Sequence, residues 1–473
     1  MLTVNPGAVV DLNGGNQTVG KLRVLDGGTV VSSSGAAKIT YEKGAKTLAA
    51  AGENVDPAFV DELLNRADTP GTYDGLLTAT ESTSSELEQS GLLSVTITAS
   101  GSFSGKLQTL NTQQNFKGKF NEEGRALFGT AQTERYAVQR SSSSPKASIV
   151  NFVMRLELRD DHPVINAQFL GAVGGEAVLS EGVAERTVYS SLKTLPVEMK
   201  RMPTEIYDSS FEKGVYTVLM DIPEELRAKT DEASGNELYP QGSGYGKITV
   251  SPSGTVTFSG KLSDGTSVTY SNRLSGSNGW PLYVPLYSRK GSLAGKVQFD
   301  PSSEANDASG KLMRWFKPKG AKASPYSNGW IEGVSLELQA SKYLEPLRPT
   351  KNNPYPGTVF GREVPGLQAP AVNLSVLTSG GWLSGATPYE ASMNATSVVT
   401  AVGAAAKDRF KLNFTSTSGA FTGSFIHPET KKTLKFEGVV FQKTLSARGN
   451  FSSPSPKSAE PPKIGSISIT IAQ

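Results

Sequence analysis

The chain has no cysteine and only two histidines in 473 residues. The first absence removes disulfides, thiol nucleophiles and thiolate metal sites. The second leaves little from which to build a zinc or other transition-metal centre, so no metal or cofactor is expected. No stretch approaches the roughly 18 apolar residues of a membrane-spanning helix. No phosphate-cradling Gly-x4-Gly-Lys-Ser/Thr loop occurs, and no Gly-x-Ser-x-Gly elbow lies between a strand and a helix. Neither sign of charge dominates: 47 Lys and Arg face 44 Asp and Glu, for a net charge of +3. That balance gives no electrostatic footprint for nucleic acid. The densest basic patch, Lys317, Lys319 and Lys322 beside Trp315 and Phe316, reads as a solvated loop whose lysine stems lie along apolar surface. The start, Met1 to Pro6, lacks the basic head and apolar core of a secretory signal. Either the protein stays inside the cell or the chain is the C-terminal part of a longer secreted product, and the organisation below favours the second.

What the sequence has is glycine (49), proline (27) and frequent Ser and Thr, with aromatic residues at 8%. This composition favours many short strands joined by tight turns. One strand-turn-strand phrase occurs three times: Val95 to Gly105, Ile248 to Gly260 and Leu412 to Gly423. Each copy alternates apolar residues with Ser and Thr, turns at Ser-Gly, and closes on an aromatic, a hydroxyl and a glycine. The closing glycines at 105, 260 and 423 lie a domain's length apart. The fold class expected is all-β, in tandem curved antiparallel, barrel-like modules. Gly within strands supports strong curvature.

Residues 1–48 follow a shorter period. Val4 to Gly14 aligns with Val24 to Gly35, about twenty residues on, which fits the coil of a β-solenoid. Stacked coils would place Val10 and Val30 at equivalent positions. Two coils do not make a stable stack alone, so this segment reads as the end of a solenoid. Residues 49–70 form a linker with the one expected helix, over 56–68: Asp56 caps it, Pro57 suits its first position, and Phe59, Val60, Leu63, Leu64 and Ala67 share a face. Module one spans 71–207 and module two 208–345, opening alike at Gly71-Thr-Tyr73 and Gly214-Val-Tyr216. The shared order predicts that Tyr73 matches Tyr216 and Gly105 matches Gly260. A Pro-rich, semi-rigid linker covers 346–370, and module three covers 371–473. Its last strand, Ile464 to Ile471, is expected to be tied down against an early strand of its module.

The phrase Leu12-Asn-Gly-Gly-Asn-Gln-Thr-Val-Gly20 resembles the autotransporter-associated β-strand repeat of bacterial surface proteins. Gly279 to Tyr287, Gly291 to Gly295, Met313 to Pro318, Gly419 to Pro428 and Gly438 to Lys443 closely resemble a C-terminal β-module of very large bacterial secreted proteins. In that group the module follows autotransporter-associated, Ig-like or propeller-like repeats. The resemblance covers residues 70–473 and implies an extracellular or cell-surface location. It brings no catalytic residues, and the group's long upstream repeat region is nearly absent here.

The remaining chemistry is sparse. Both histidines precede proline, in Asp160-Asp161-His162-Pro163 and Ile426-His427-Pro428, and both read as turns rather than as metal or acid/base sites. Asp160, Asp161, Glu212, Glu332 and Glu437 are candidate carboxylates for glycoside hydrolysis, but sequence does not pair them. The acidic stretch Asp300 to Asp307 lacks the ligand spacing of a calcium loop and reads as a solvated turn. The aromatics carry the functional expectation. All four tryptophans lie in the last two modules, and Trp280, Tyr283, Tyr287, Trp315 and Trp330 are candidate platforms for stacking on sugar rings. Pro281 and Pro285 would hold the first three on an edge or loop. The alternative is that these rings fill cores. The reading is a non-catalytic structural or binding region of an extracellular bacterial surface protein, for adhesion, glycan binding or anchoring, with polysaccharide or cell-surface components as partners. The rival is a secreted carbohydrate-active enzyme with a carboxylate pair in a module groove.

Overall fold

The computed structural model describes residues 66–80, 86–121, 123–139, 149–171, 177–200, 213–223, 239–321, 324–346, 371–456 and 460–472, with shorter pieces at 2–4, 8–18, 22–24, 29–34, 36–41, 44–48, 226, 351 and 357–361. The fold is all-β: a short parallel solenoid, then curved, nearly closed antiparallel barrels. Single-turn α-helices occur at Glu86–Gln89 and Ala404–Lys407. The helix expected over 56–68 lies outside the described residues except for 66–68, which are turn and bend. The chain divides into two compact units, residues 1–81 with 89–186, and residues 187–473 with 82–88.

The first unit begins with β1 (Leu2–Val4), β2 (Val9–Asp11), β3 (Gln17–Thr18), β4 (Leu22–Val24), β5 (Thr29–Val31), β6 (Ala37–Tyr41) and β7 (Gly44–Leu48). Strands β1, β2 and β3 pair in parallel with β4, β5 and β6, so each coil lies on the next. Leu2 meets Leu22 and Val10 meets Val30, as the repeat predicts. Leu12, Val30, Ala37 and Ile39 are buried between the coils. Asp11 Oδ1 accepts from the amides of Asn13 and Ser33, both at 2.9 Å, which ties a turn of one coil to the next. Strand β7 folds back antiparallel on β6 and ends the parallel stack.

A barrel follows: β8 (Gly71–Ala79), β9 (Gly91–Ile97), β10 (Ser102–Thr109), β11 (Gln113–Phe120), β12 (Ala126–Phe128), β13 (Tyr136–Gln139), β14 (Ile149–Arg159), β15 (His162–Leu170) and β16 (Val178–Arg186). Each strand pairs with its neighbour in sequence, and β8 pairs with β16, so the meander curls round until its first and last strands meet. One seam remains, between β12 and β13. Side chains and backbone close it: Gln114 Nε2 donates to Gln139 O at 2.9 Å, Thr112 Oγ1 to the same oxygen at 2.7 Å, and Leu156 N to Gly124 O at 2.8 Å. Period-two alternation fills the inside with Leu93, Val95, Ile97, Phe103, Phe116 and Phe152, among others.

The second unit holds two barrels. One has β17 (Gly214–Asp221), β18 (Gly244–Val250), β19 (Thr255–Lys261), β20 (Ser267–Arg273), β21 (Gly279–Leu286), β22 (Gly291–Phe299), β23 (Ala308–Lys317) and β24 (Trp330–Lys342). The other has β25 (Ala371–Gly380), β26 (Thr387–Asn394), β27 (Val399–Val402), β28 (Lys411–Thr415), β29 (Ala420–Ile426), β30 (Thr433–Phe441), β31 (Ser446–Ser453) and β32 (Lys463–Ile471). Both close first strand on last, β17 on β24 and β25 on β32. The terminal strand is therefore held as expected.

The seam of the second barrel falls between β20 and β21, and proline explains it. Pro281 O accepts from Tyr270 Oη at 3.1 Å and Asn272 Nδ2 at 3.4 Å, so this residue's backbone edge faces β20. Pro285, four residues on, faces the same way. Neither has an N–H to offer β20, so no ladder forms and β21 is an edge strand.

Four sequence expectations shift and one holds. Tyr73 and Tyr216 are equivalent: they pair with Val95 and Ile248, and their hydroxyls donate to Thr69 O (2.6 Å) and Met199 O (2.9 Å). Gly105 and Gly260 are not equivalent. Val95 pairs onward with Gly105, whereas Ile248 pairs onward with Phe258. The third copy of the phrase joins β28 to β29, not the second and third strands of its barrel. In a meander barrel every hairpin meets the same demands of inward alternation, tight turn and close packing, so one phrase serves at any of them. The boundary between modules one and two moves too. Residues 187–200 run with the second barrel, where Leu195 and Met199 enter the core. The described part of the 346–370 linker is no spacer: Val359 and Phe360 are buried in the core of the third barrel.

Candidate functional site

The aromatic platforms are interior. Trp280, Tyr283 and Trp315 have no exposed surface and Trp330 has 8%. A ring without a free face cannot stack on a dissolved sugar, so these residues do not form the expected glycan site. Trp280 lies against Tyr270 across the seam with ring centres 5.6 Å apart. Trp315 packs on Trp330 at 4.4 Å, and Trp330 on Tyr326 at 5.0 Å.

Tyr287, partly buried, joins a polar network that sequence reasoning missed. Its hydroxyl donates to Asp264 Oδ2 at 2.8 Å and accepts from Trp315 Nε1 at 3.0 Å. Lys317 Nζ donates to the same carboxylate oxygen at 2.7 Å and sits 4.7 Å from the centre of the Tyr287 ring. Thr266 N donates to Asp264 Oδ1 at 2.9 Å. The Asp264 side chain is 1% exposed and that of Lys317 11%. Lys317 is therefore a buried ion-pair partner and not a solvated lysine. Burial, and then the Asp264 charge, push the Tyr287 phenol well above its usual range. The network fixes one end of the barrel; a carboxylate already holding three donors has little left for a substrate.

The carboxylate candidates do not converge. Asp160 and Asp161, with φ of 50° and 61°, are the two central residues of the tight turn joining β14 to β15, and Arg66 donates to Asp161 Oδ1 at 3.0 Å. Positive φ at both positions is what a two-residue type I′ hairpin needs. Glu332 is exposed, Glu437 pairs with Lys261, and Glu212 lies outside the described residues. His427 is buried in a turn, its Nδ1 accepting from the amides of Glu429 and Thr430 and its Nε2 3.1 Å from Trp382 O. Two accepted amides on Nδ1 place the proton on Nε2. Among the described residues no group of three His, Cys, Asp or Glu stands close enough to hold a metal. Asp307 is committed: it accepts from Lys342 N at 2.7 Å and from Lys443 Nζ at 3.2 Å.

That last bond crosses between the second and third barrels. Arg448 pairs with Asp221 at 3.1 Å and Lys261 with Glu437 at 2.5 Å, also across this junction. Leu219, Val439 and Phe441 form an apolar patch between them, with Tyr245 beside it. Gln442 Nε2 donates to Leu344 O and Val359 O, each at 2.9 Å. The two barrels are thus joined as one body.

Open surface of binding size lies on the outside of the first barrel. A groove of about 870 Å³ crosses β14, β15 and β16. Arg155, Arg159, Glu157 and Glu181 line it, with Asn166 and Gln168 between them, and Arg125 and Glu134 stand above. Arg155 lies 3.5 Å from Glu157, and Arg125 3.3 Å from Glu134. A shallower trough of about 540 Å³ crosses β9, β10 and β11, lined by hydroxyls, Asn115, Lys106 and Lys117. Alternation gave these outward positions no apolar signature, so sequence could list them as polar but not as a surface.

No family model and no curated protein matches the chain. Among solved structures, transferrin binding protein B (a double mutant) from Haemophilus parasuis aligns over 85% of this chain and 75% of its own, at 8% identity and a TM-score of 0.19. A DUF3598-family protein of unknown function from Nostoc punctiforme aligns over 60% and 97%, at 10% identity and a TM-score of 0.15. At scores this low neither likeness bears on the fold or the function of this chain.

Proposed function

We propose that the chain is a non-catalytic structural and binding region of a bacterial extracellular surface protein, of the kind whose C-terminal β-modules follow autotransporter-associated repeats. The observation that carries this reading is the parallel register of residues 2–41, with Leu2 on Leu22 and Val10 on Val30. It is the coil stacking that the resembled repeat requires. The barrels support it: their interiors are packed with side chains, leaving their outer faces as the surfaces for adhesion, anchoring or glycan binding. Among the described residues, the groove is where the enzyme alternative finds carboxylates close together. A general acid works from an apolar pocket, whereas Glu134 and Glu157 lie against guanidinium groups. The test is labelling of intact cells of the source bacterium with an antibody to this chain, before and after external protease. Label on intact cells that protease removes is expected. Label confined to lysed cells, or hydrolysis of any glycan by the pure chain, would reject the reading.

A further inference from the structure

We infer that the outer trough on β9–β11 is a docking face for a carboxylated, uronate-type polysaccharide; this rests on the surface-protein reading and names its ligand. The strand register places two polar rows across the sheet. One runs Thr72, Thr96, Ser104, Lys117, and the other Asp74, Ser94, Lys106, Asn115. Neighbouring strands stand roughly 4.8 Å apart, so a chain lying across β9, β10 and β11 meets a hydroxyl, amide or ammonium at each step. An extended polysaccharide presents its hydroxyls and carboxylates at similar intervals. Gly105 has no side chain, and with the edge of Phe116 it forms the trough floor. Lys106 and Lys117 are exposed, and Lys119 is exposed on the same face opposite Ser102. No carboxylate lines the trough, and Asp74, at the far end of its row, is 6% exposed. Its charge is therefore complementary to an acidic chain, unlike the groove on β14–β16, where each of two Arg already faces a Glu. The hydroxyl rows select sugar over nucleic acid, for which the face offers no exposed aromatic ring to stack a base.

The experiment is calorimetric titration of the whole chain with polygalacturonate, dextran, dextran sulfate and duplex DNA. It is repeated on Lys106→Gln/Lys117→Gln, two exposed changes that leave the core untouched, and on Arg155→Gln in the groove. Polygalacturonate is expected to bind, more weakly as salt rises. The double variant should weaken it by roughly tenfold, as two surface charge contacts allow, while Arg155→Gln leaves it unchanged. Binding that survives the double variant, or is lost in Arg155→Gln, overturns the trough but leaves glycan binding standing. Dextran sulfate or DNA binding as tightly as polygalacturonate reduces the effect to bulk charge and overturns the assignment. No binding to any polysaccharide overturns both the assignment and the glycan part of the proposed function, while the cell-surface labelling still decides the rest.

Discussion

Phe116 stands directly opposite Gly105 on the neighbouring strand, its ring in the space that a Cβ on Gly105 would take. The relation is reciprocal, since Phe103 on the first strand faces Gly118 on the second. The third barrel repeats it, with Phe421 opposite Gly438 and Phe436 opposite Gly423. Here is the physical reason for an aromatic, a hydroxyl and a glycine in sequence. The inward ring leans across onto the facing glycine, and the residue between points out. An alanine Cβ at Gly105 would lie 2.3 Å from Phe116 Cζ. That ring cannot retreat, because Phe103, Phe128, Tyr136 and Phe152 pack around it. Gly105→Ala should therefore destabilise by about 1–3 kcal/mol through overpacking. Gly385→Ala, with no atom within 4 Å of the added carbon, should be near neutral. Urea unfolding followed by circular dichroism measures both, and equal effects would remove the argument.

The Asp264–Lys317 pair yields a second expectation. Both side chains are out of water, so removing one strands the other. Asp264→Asn or Lys317→Met alone should cost about 3–5 kcal/mol. The double variant should cost clearly less than the sum, because no unpaired charge remains. Trp315 touches the network through Tyr287, so its fluorescence reports the loss directly. Additive costs would show the two groups to be independent.

This pair also marks the limit of the sequence. Lys317 was visible as a basic residue beside Trp315; Asp264, in a turn more than fifty residues earlier, had no local sign of its role. The tryptophans show the same limit. Alternation identifies two faces of a strand but not which is covered, and around Tyr283 and Phe316 both faces are buried. What local chemistry dictates was legible. The coil repeat put Val10 on Val30, the two Asp-Asp positions turned, and Pro281 marked an edge. Register was not: a hairpin phrase does not say which hairpin it builds, and so Gly260 parted from Gly105.

The junction of the second and third barrels should make them unfold together. All four tryptophans lie in this unit, three in one barrel and Trp382 in the other, so tryptophan fluorescence of the whole chain follows it selectively. One transition is expected for the unaltered protein. Asp307→Ala removes the partner of Lys443 Nζ and the acceptor for Lys342 N. With Arg448→Ala, which also breaks the contact to Asp221, it should split the transition in two. A single transition in the double variant would mean that the apolar patch, with the remaining contacts of Lys261 and Gln442, is enough to couple the barrels.

The buried tyrosines set the alkaline limit. Burial is the leading cause that raises Tyr73, Tyr216, Tyr245, Tyr283 and Tyr287 above the ordinary phenol value. In the unfolded chain the same groups titrate near pH 10. A pKa raised on folding means that the native state favours the neutral phenol. The stability it contributes is whole below about pH 10 and is lost as pH rises towards the native value. Tyrosinate absorbance should show the exposed phenols ionising near pH 10 with the fold intact. The buried ones should appear only in a later, cooperative step that coincides with loss of the β circular dichroism. Tyr287→Phe leaves Trp315 Nε1 without its acceptor and costs about 1–2 kcal/mol at neutral pH. It also removes one of the opposing groups, so its stability should fall less steeply above pH 10 than that of the unaltered chain. Stepwise ionisation of all the tyrosines without unfolding would show that the barrels admit hydroxide, and that burial does not hold these phenols neutral.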